Sequence, residues 1–184
     1  MRILSINLLA MVLLVLGACQ KEDPQIGNEE EVITTLTYTL TPTTGGTPVV
    51  FSFKDLDGDG GNAPVIVEGT LQANSSYLGT ISLLNETESP AEDINLEIMA
   101  EAEEHQLFYV STVGNLDIRY NDADANNNAL GLKTTVITGS ADQGTLKIIL
   151  RHEPNKTAGG VSISNPTAAG GETDIEVTFD VDIQ

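Results

Sequence analysis

The chain has 184 residues, enough for one domain once its ends are set aside, and carries 27 acidic against 8 basic side chains, a formal charge of −19. A surface this acidic repels phosphate backbones and offers no polybasic patch to anionic lipid heads, so nucleic acid is not an expected partner. Hydrophobic residues make up 40% of the chain but aromatics only 4%, with no Trp; this predicts a core of Val, Ile, Leu and Thr, the mix that suits a pleated sheet.

Residues 1–18 begin Met-Arg and continue into a mostly apolar run from Leu8 to Ala18, with small residues just before Cys19. A basic start, a short apolar stretch and small residues at the cut describe a secretory signal, since a membrane-spanning helix needs about 20 apolar residues. Leu16-Gly17-Ala18-Cys19 resembles the bacterial lipobox, and Cys19 is the only cysteine. The resemblance implies a diacylglycerol thioether on Cys19 and membrane attachment through lipid. Lys21-Glu22-Asp23 follows one residue later. It resembles a lipoprotein export signal of Bacteroidetes, which implies the outer membrane with the domain facing the cell exterior; the periplasmic face is the alternative. Residues 19–31 are polar, charged and without periodicity, as expected of a flexible acidic tether.

From residue 32 the pattern turns to period two, which predicts strands. Thr35–Leu40 alternates, Pro42-Thr-Thr-Gly-Gly turns the chain, and Val49, Phe51 and Phe53 alternate again, predicting a hairpin over 32–54. Further strands are expected at 65–71, 77–84, 107–111, 115–120, 131–138, 145–152 and 173–183. In the last, Ile175, Val177, Phe179, Val181 and Ile183 are assigned to the core, with Asp174, Glu176, Thr178, Asp180 and Asp182 on the wet face. Ser89-Pro90-Ala91-Glu92 has the form of a capping box with proline at the first helical position. Ile94, Ile98, Ala102 and His105 then fall on one helical stripe. The expected fold for 32–184 is therefore mainly β, an antiparallel sandwich or partly closed barrel with one short covering helix.

Several segments resemble a small, uncharacterised family of Bacteroidetes lipoproteins: GNEEEVITTLTYTL, FKDLDGDGGNAP, LLNETESPAEDIN, LRHEPNK and AGGETDIEVTFDV. Members often carry the label "type 1 periplasmic binding fold superfamily protein". The resemblance implies location and supplies no catalytic residues. A two-lobed α/β binding protein is built from repeated strand–helix units over a longer chain, whereas this sequence offers one helix.

Two kinds of metal site are candidates. Asp55, Asp57 and Asp59, followed by glycines, match the opening of a calcium loop, and Asp122, Asp124 and Asn126 repeat the spacing. Both lack the distal bidentate Glu, and Asp, Asn and Gly are also the ordinary residues of strand-connecting turns. The two histidines each close a core-facing run: His105 ends the helical stripe, with Glu101 one turn before it, and His152 ends the strand of Leu146, Ile148 and Leu150. With Glu101 they form a potential transition-metal set, provided they converge. The plainer roles are a histidine at a helix C-terminus and an ordinary hydrogen bond.

No nucleophile elbow, phosphate loop or His-Glu-x-x-His motif is present, so no enzyme activity is expected. The expected function is a non-enzymatic binding or accessory lipoprotein, capturing a metal or other ligand for a neighbouring outer-membrane transporter. The alternative is a structural or adhesive surface module stiffened by calcium.

Overall fold

The computed structural model describes residues 31–58 and 61–184. The leader, Cys19, the Lys21-Glu22-Asp23 segment and Asp59 lie outside the described residues. The expected hairpin is present as β1 (Thr35–Pro42) and β2 (Val49–Lys54), paired antiparallel. The expected 65–71 strand is two. β3 (Val65–Val67) continues beside β2, while β4 (Thr70–Leu71) leaves for the opposite sheet. Then follow β5 (Ser76–Asn85), β6 (Glu92–Asp93), α1 (Ile94–Ala100), β7 (His105–Ser111), β8 (Leu116–Tyr120), β9 (Lys133–Thr138), β10 (Asp142–His152), α2 (Pro166–Ala169) and β11 (Glu172–Ile183).

The strands form two sheets packed as a β-sandwich. One runs β3-β2-β1-β5-β9-β8 with β6 on the end of β5; the other runs β4-β11-β10-β7. All pairings are antiparallel except β4 with β11. The alternation of β11 is realised from Ile175 to Ile183, whose five apolar side chains are buried against Leu36, Tyr38, Leu40 and Leu83 of the facing sheet within one core. The aliphatic core expected from composition needs correction. Six of the eight aromatic side chains are fully or almost fully buried. Tyr38 meets Tyr109 at 5.5 Å between ring centroids, and Phe51 meets Phe179 at 5.7 Å, each pair joining the two sheets. Few aromatics are present, but they sit where their large area counts most.

The helix starts later than the capping box predicts. Glu92 and Asp93 pair with Asn85 and Leu84 as a short strand, so α1 begins at Ile94 with Asp93 as its N-cap, accepting from the Asn95 N–H. Asn95 holds the helix to the sheet edge: its Oδ1 accepts from the Leu83 N–H and its Nδ2 donates to the Ile81 carbonyl. The helix ends at Ala100, so Ala102 and His105 lie beyond it, and a second short helix, α2, joins the expected one. Among the described residues no helix is long and apolar enough to cross a membrane.

Candidate metal centre

His105 and His152 are directly opposite each other in the antiparallel β7–β10 ladder. Both continue the core-facing rows of their strands, His105 before Leu107 and Tyr109, His152 after Leu146, Ile148 and Leu150. The period-two rule therefore aims both rings into the space between the sheets, at one end of the sandwich. The ring centroids are 4.5 Å apart and both residues are buried. The convergence that the sequence left open is realised.

Two carboxylates complete the cluster, and neither was among the sequence candidates. Asp174 was assigned to the wet face of its strand, and this needs correction. Between Leu150 and Arg151 the β10–β11 register shifts: Leu150 faces Ile175 but Arg151 faces Thr173, so Asp174 is the extra residue of a β-bulge. A bulge re-aims the side chain it carries, and the Asp174 side chain is fully buried with Oδ1 3.7 Å from His152 Nδ1. Gly171 supports this approach. Its φ is +76°, and a Cβ there would lie 2.3 Å from the His152 carbonyl oxygen, so a larger residue would push the chain end away from the centre.

Glu31 is the second carboxylate, at the end of the segment that composition marks as tether. Its side chain is only 3% exposed. Oε1 lies 2.6 Å from His105 Nε2, and Oε2 lies 3.7 Å from His152 Nδ1. Among the described residues, Oε2 is buried without a hydrogen-bond partner. Leaving a carboxylate oxygen so placed is costly unless a cation is nearby.

Glu101 does not join the four as expected. It is the C-cap of α1, and its backbone carbonyl faces His105 Nδ1 at 3.2 Å. This contact orients the imidazole with Nδ1 as donor, leaving Nε2 turned towards Glu31. An oriented second nitrogen is the usual support of a metal-binding histidine. The Glu101 carboxylate instead belongs with Glu31 and Glu97. Glu97 has its carboxyl pushed above the ordinary range by partial burial and by the charges of Glu31, Glu101 and Glu92.

One ligand atom from each of Glu31, His105, His152 and Asp174 lies within 4.8 Å of all the others. A tetrahedral ion with bonds of about 2.1 Å needs ligand atoms roughly 3.4 Å apart. The two 3.7 Å separations are near that spacing, whereas the 2.6 Å contact of Glu31 Oε1 with His105 Nε2 is a direct hydrogen bond that an entering ion would have to replace. Two imidazoles and two carboxylates match a borderline divalent ion such as Zn²⁺ in both donor type and charge. Two surface cavities, of about 610 Å³ around Glu68, Thr70 and Asp180 and about 530 Å³ around Tyr120, Asn128 and Ile163, are lined by other residues.

The calcium candidates are folded as turns. Asp55 Oδ1 accepts from the N–H groups of Asp57 and Gly58, and Asp57 Oδ2 accepts from both the backbone and the side-chain amide of Asn62. Those bonds hold the Asp57 carboxyl below its ordinary range. In the second loop Asp122 accepts from the N–H groups of Gly131 and Lys133, and Asp124 Oδ1 from those of Asn126 and Asn128. Among the described residues, Asn126 enters only through its backbone N–H in that bond. A protein cation already sits at Asp124: Lys156 Nζ is 3.0 Å from Oδ2, with both side chains buried. Burial works to raise the Asp124 carboxyl, but the Asn128 N–H, the Lys156 ammonium and the Asn126 N–H together hold it below its ordinary range. Among the described residues, neither loop gathers three acidic or histidine ligands.

No protein-family model matches this chain, and neither a curated protein nor a solved structure does.

Proposed function

We propose that the protein is a non-enzymatic binding module, held outside the cytoplasm by a lipid on Cys19, whose buried centre of Glu31, His105, His152 and Asp174 binds one divalent transition-metal ion. The observation that carries this reading is the pairing of two buried imidazoles, 4.5 Å apart, with two buried carboxylates at one end of the sandwich. Four protein ligands in a water-poor setting leave no ligand position open for a substrate, which favours holding an ion over turning one to chemistry. The lipobox, the Lys21-Glu22-Asp23 segment and the acidic surface favour placement on the outer membrane, beside a transporter that would take up what the module holds. Engagement of both acidic loops by their own N–H groups, and of Asp124 by Lys156, weighs against calcium there.

The test is calorimetric titration of the purified chain with Zn²⁺. One ion per chain is expected, with binding lost in His105→Gln and His152→Gln variants whose circular dichroism shows them folded. No binding tighter than the high-micromolar range in the parent chain would remove the reading.

A further inference from the structure

We propose that the centre fills from the acidic face beside α1: Glu97 and Glu101 take an incoming hydrated divalent ion jointly with Glu31, and Glu31 passes it inward to His105, His152 and Asp174. The inference rests on the metal reading above and adds the route and the residues that serve it. Two ligand sets share one member. Glu31, Glu97 and Glu101 each bring an oxygen within 4.8 Å of the others, and Glu31 also belongs to the inner set with the histidines and Asp174. Exposure falls along the series: Glu97 is exposed, Glu101 half-buried, and the Glu31 side chain 3% exposed, its Oε2 without a hydrogen-bond partner among the described residues. His105 and His152 are paired with each other in the β7–β10 ladder and Asp174 sits between paired residues of β11, whereas Glu31 precedes β1 and, among the described residues, is in no strand pairing. It is the ligand that can turn without breaking a sheet.

The physical problem that such a route solves is desolvation. A bare divalent ion cannot cross into a low-dielectric interior, because losing its water costs far more than any one ligand returns. Carboxylates on the rim hold the ion while it keeps most of its water, and each later step exchanges one water for one protein atom. Clustered negative charge at the mouth also raises the local concentration of cations and speeds their capture.

The experiment is rapid mixing of the purified full chain with Zn²⁺, read with a chromophoric zinc indicator, for the parent chain and for the double variant Glu97→Gln, Glu101→Gln. The rim residues are absent from the final ligand set. The double variant should therefore bind one ion with association slowed about tenfold, dissociation slowed in step, and Kd within a few-fold of the parent. Asp180→Asn with Asp182→Asn, the same charge change at the far end of β11, should leave the rates near those of the parent. An unchanged association rate in the rim variant overturns the route, as does a loss of affinity carried wholly by faster dissociation. A parent chain that binds no Zn²⁺ removes the metal reading itself, a result distinct from either.

Discussion

His105 and His152 face each other across the β7–β10 ladder as the last core-facing pair before the sheet ends, and Glu31 lies against both. With Asp174 of β11, the metal would therefore bridge the segment before β1 and three strands that lie far apart in the sequence. A ligand that binds only the folded form stabilises it by about 2.7 kcal/mol at a hundredfold excess over Kd. For a domain of this size that is roughly 5–10 °C in melting temperature. The parent chain should show such a rise with Zn²⁺ and lose it on adding a chelator. The His152→Gln variant should melt at one temperature in both conditions. A parent melting curve indifferent to Zn²⁺ would count against the centre.

The bulge at Asp174 makes a sharper prediction, because it separates one acid from its neighbours on the same strand. Asp174→Asn should weaken Zn²⁺ binding at least tenfold, since even indirect supports of a metal cost about 10- to 100-fold when removed. Asp180→Asn, on the exposed row of β11, should change Zn²⁺ affinity less than threefold. Equal effects from the two would mean that overall charge, and no specific ligand, governs the affinity.

The parts of this site that sequence makes legible are those that obey a simple period. His152 is found by following the core-facing row of β10 to its end; His105 is flagged by the helical stripe, although the helix stops at Ala100 and the residue opens β7 instead. Asp174 is invisible to the same rule, because strict alternation puts it beside Glu176 on the wet face and only a register slip turns it inward. Gly170-Gly171, one residue before the Thr173-Asp174 pair, is a weak signal of such a slip. Glu31 is hidden for a different reason: in a run of Gln, Lys, Asn and acids, composition marks a tether, and nothing local says that its last acid is buried. The fold itself, a mainly β sandwich, was readable because most strands carry the alternation. The helix boundary was not, since pairing of Glu92 and Asp93 with β5 outweighed a good capping box.

The buried pair of Lys156 and Asp124 ties the 153–165 loop to the loop after β8, and Lys156 also donates to the Ala102 carbonyl. Lys156→Met should destabilise the fold by about 3 kcal/mol, because it leaves Asp124 buried without its cation. Adding Asp124→Asn should recover part of that loss. The Asp124 carboxyl is held below its ordinary range, so its contribution is fully present above the unfolded value near 4 and is lost as pH falls through the lower native value. Denaturant midpoints measured from pH 6 down to pH 2 should fall less steeply in the double variant than in the parent. A Lys156→Met chain as stable as the parent would show the pair to be dispensable. Millimolar Ca²⁺ should leave the parent's midpoint unchanged.

At the alkaline end the tyrosines set the limit. Burial pushes the phenols of Tyr38, Tyr109 and Tyr120 well above the ordinary tyrosine value of 10. Thr134 hydrogen-bonds Tyr38 and partly offsets the effect, as Gln106 does for Tyr120. Tyr109 donates to the Gly131 carbonyl, and the negative ends of Tyr38, Asp122 and Tyr120 push its phenol higher still. A group raised in this way stabilises the fold fully below its unfolded value, and that stability is lost as pH rises past 10 towards the native value. The chain should therefore unfold cooperatively in strong alkali, with the tyrosinate absorbance of Tyr38, Tyr109 and Tyr120 appearing together with loss of β-sheet circular dichroism. Tyr38→Phe removes one hydroxyl bond at a cost of about 1 kcal/mol near neutral pH. It also removes one of the ionising groups, so the deficit should shrink as pH climbs above 10. Smooth ionisation of all four phenols near pH 10 with the sheet intact would show that these rings are not sealed between the sheets.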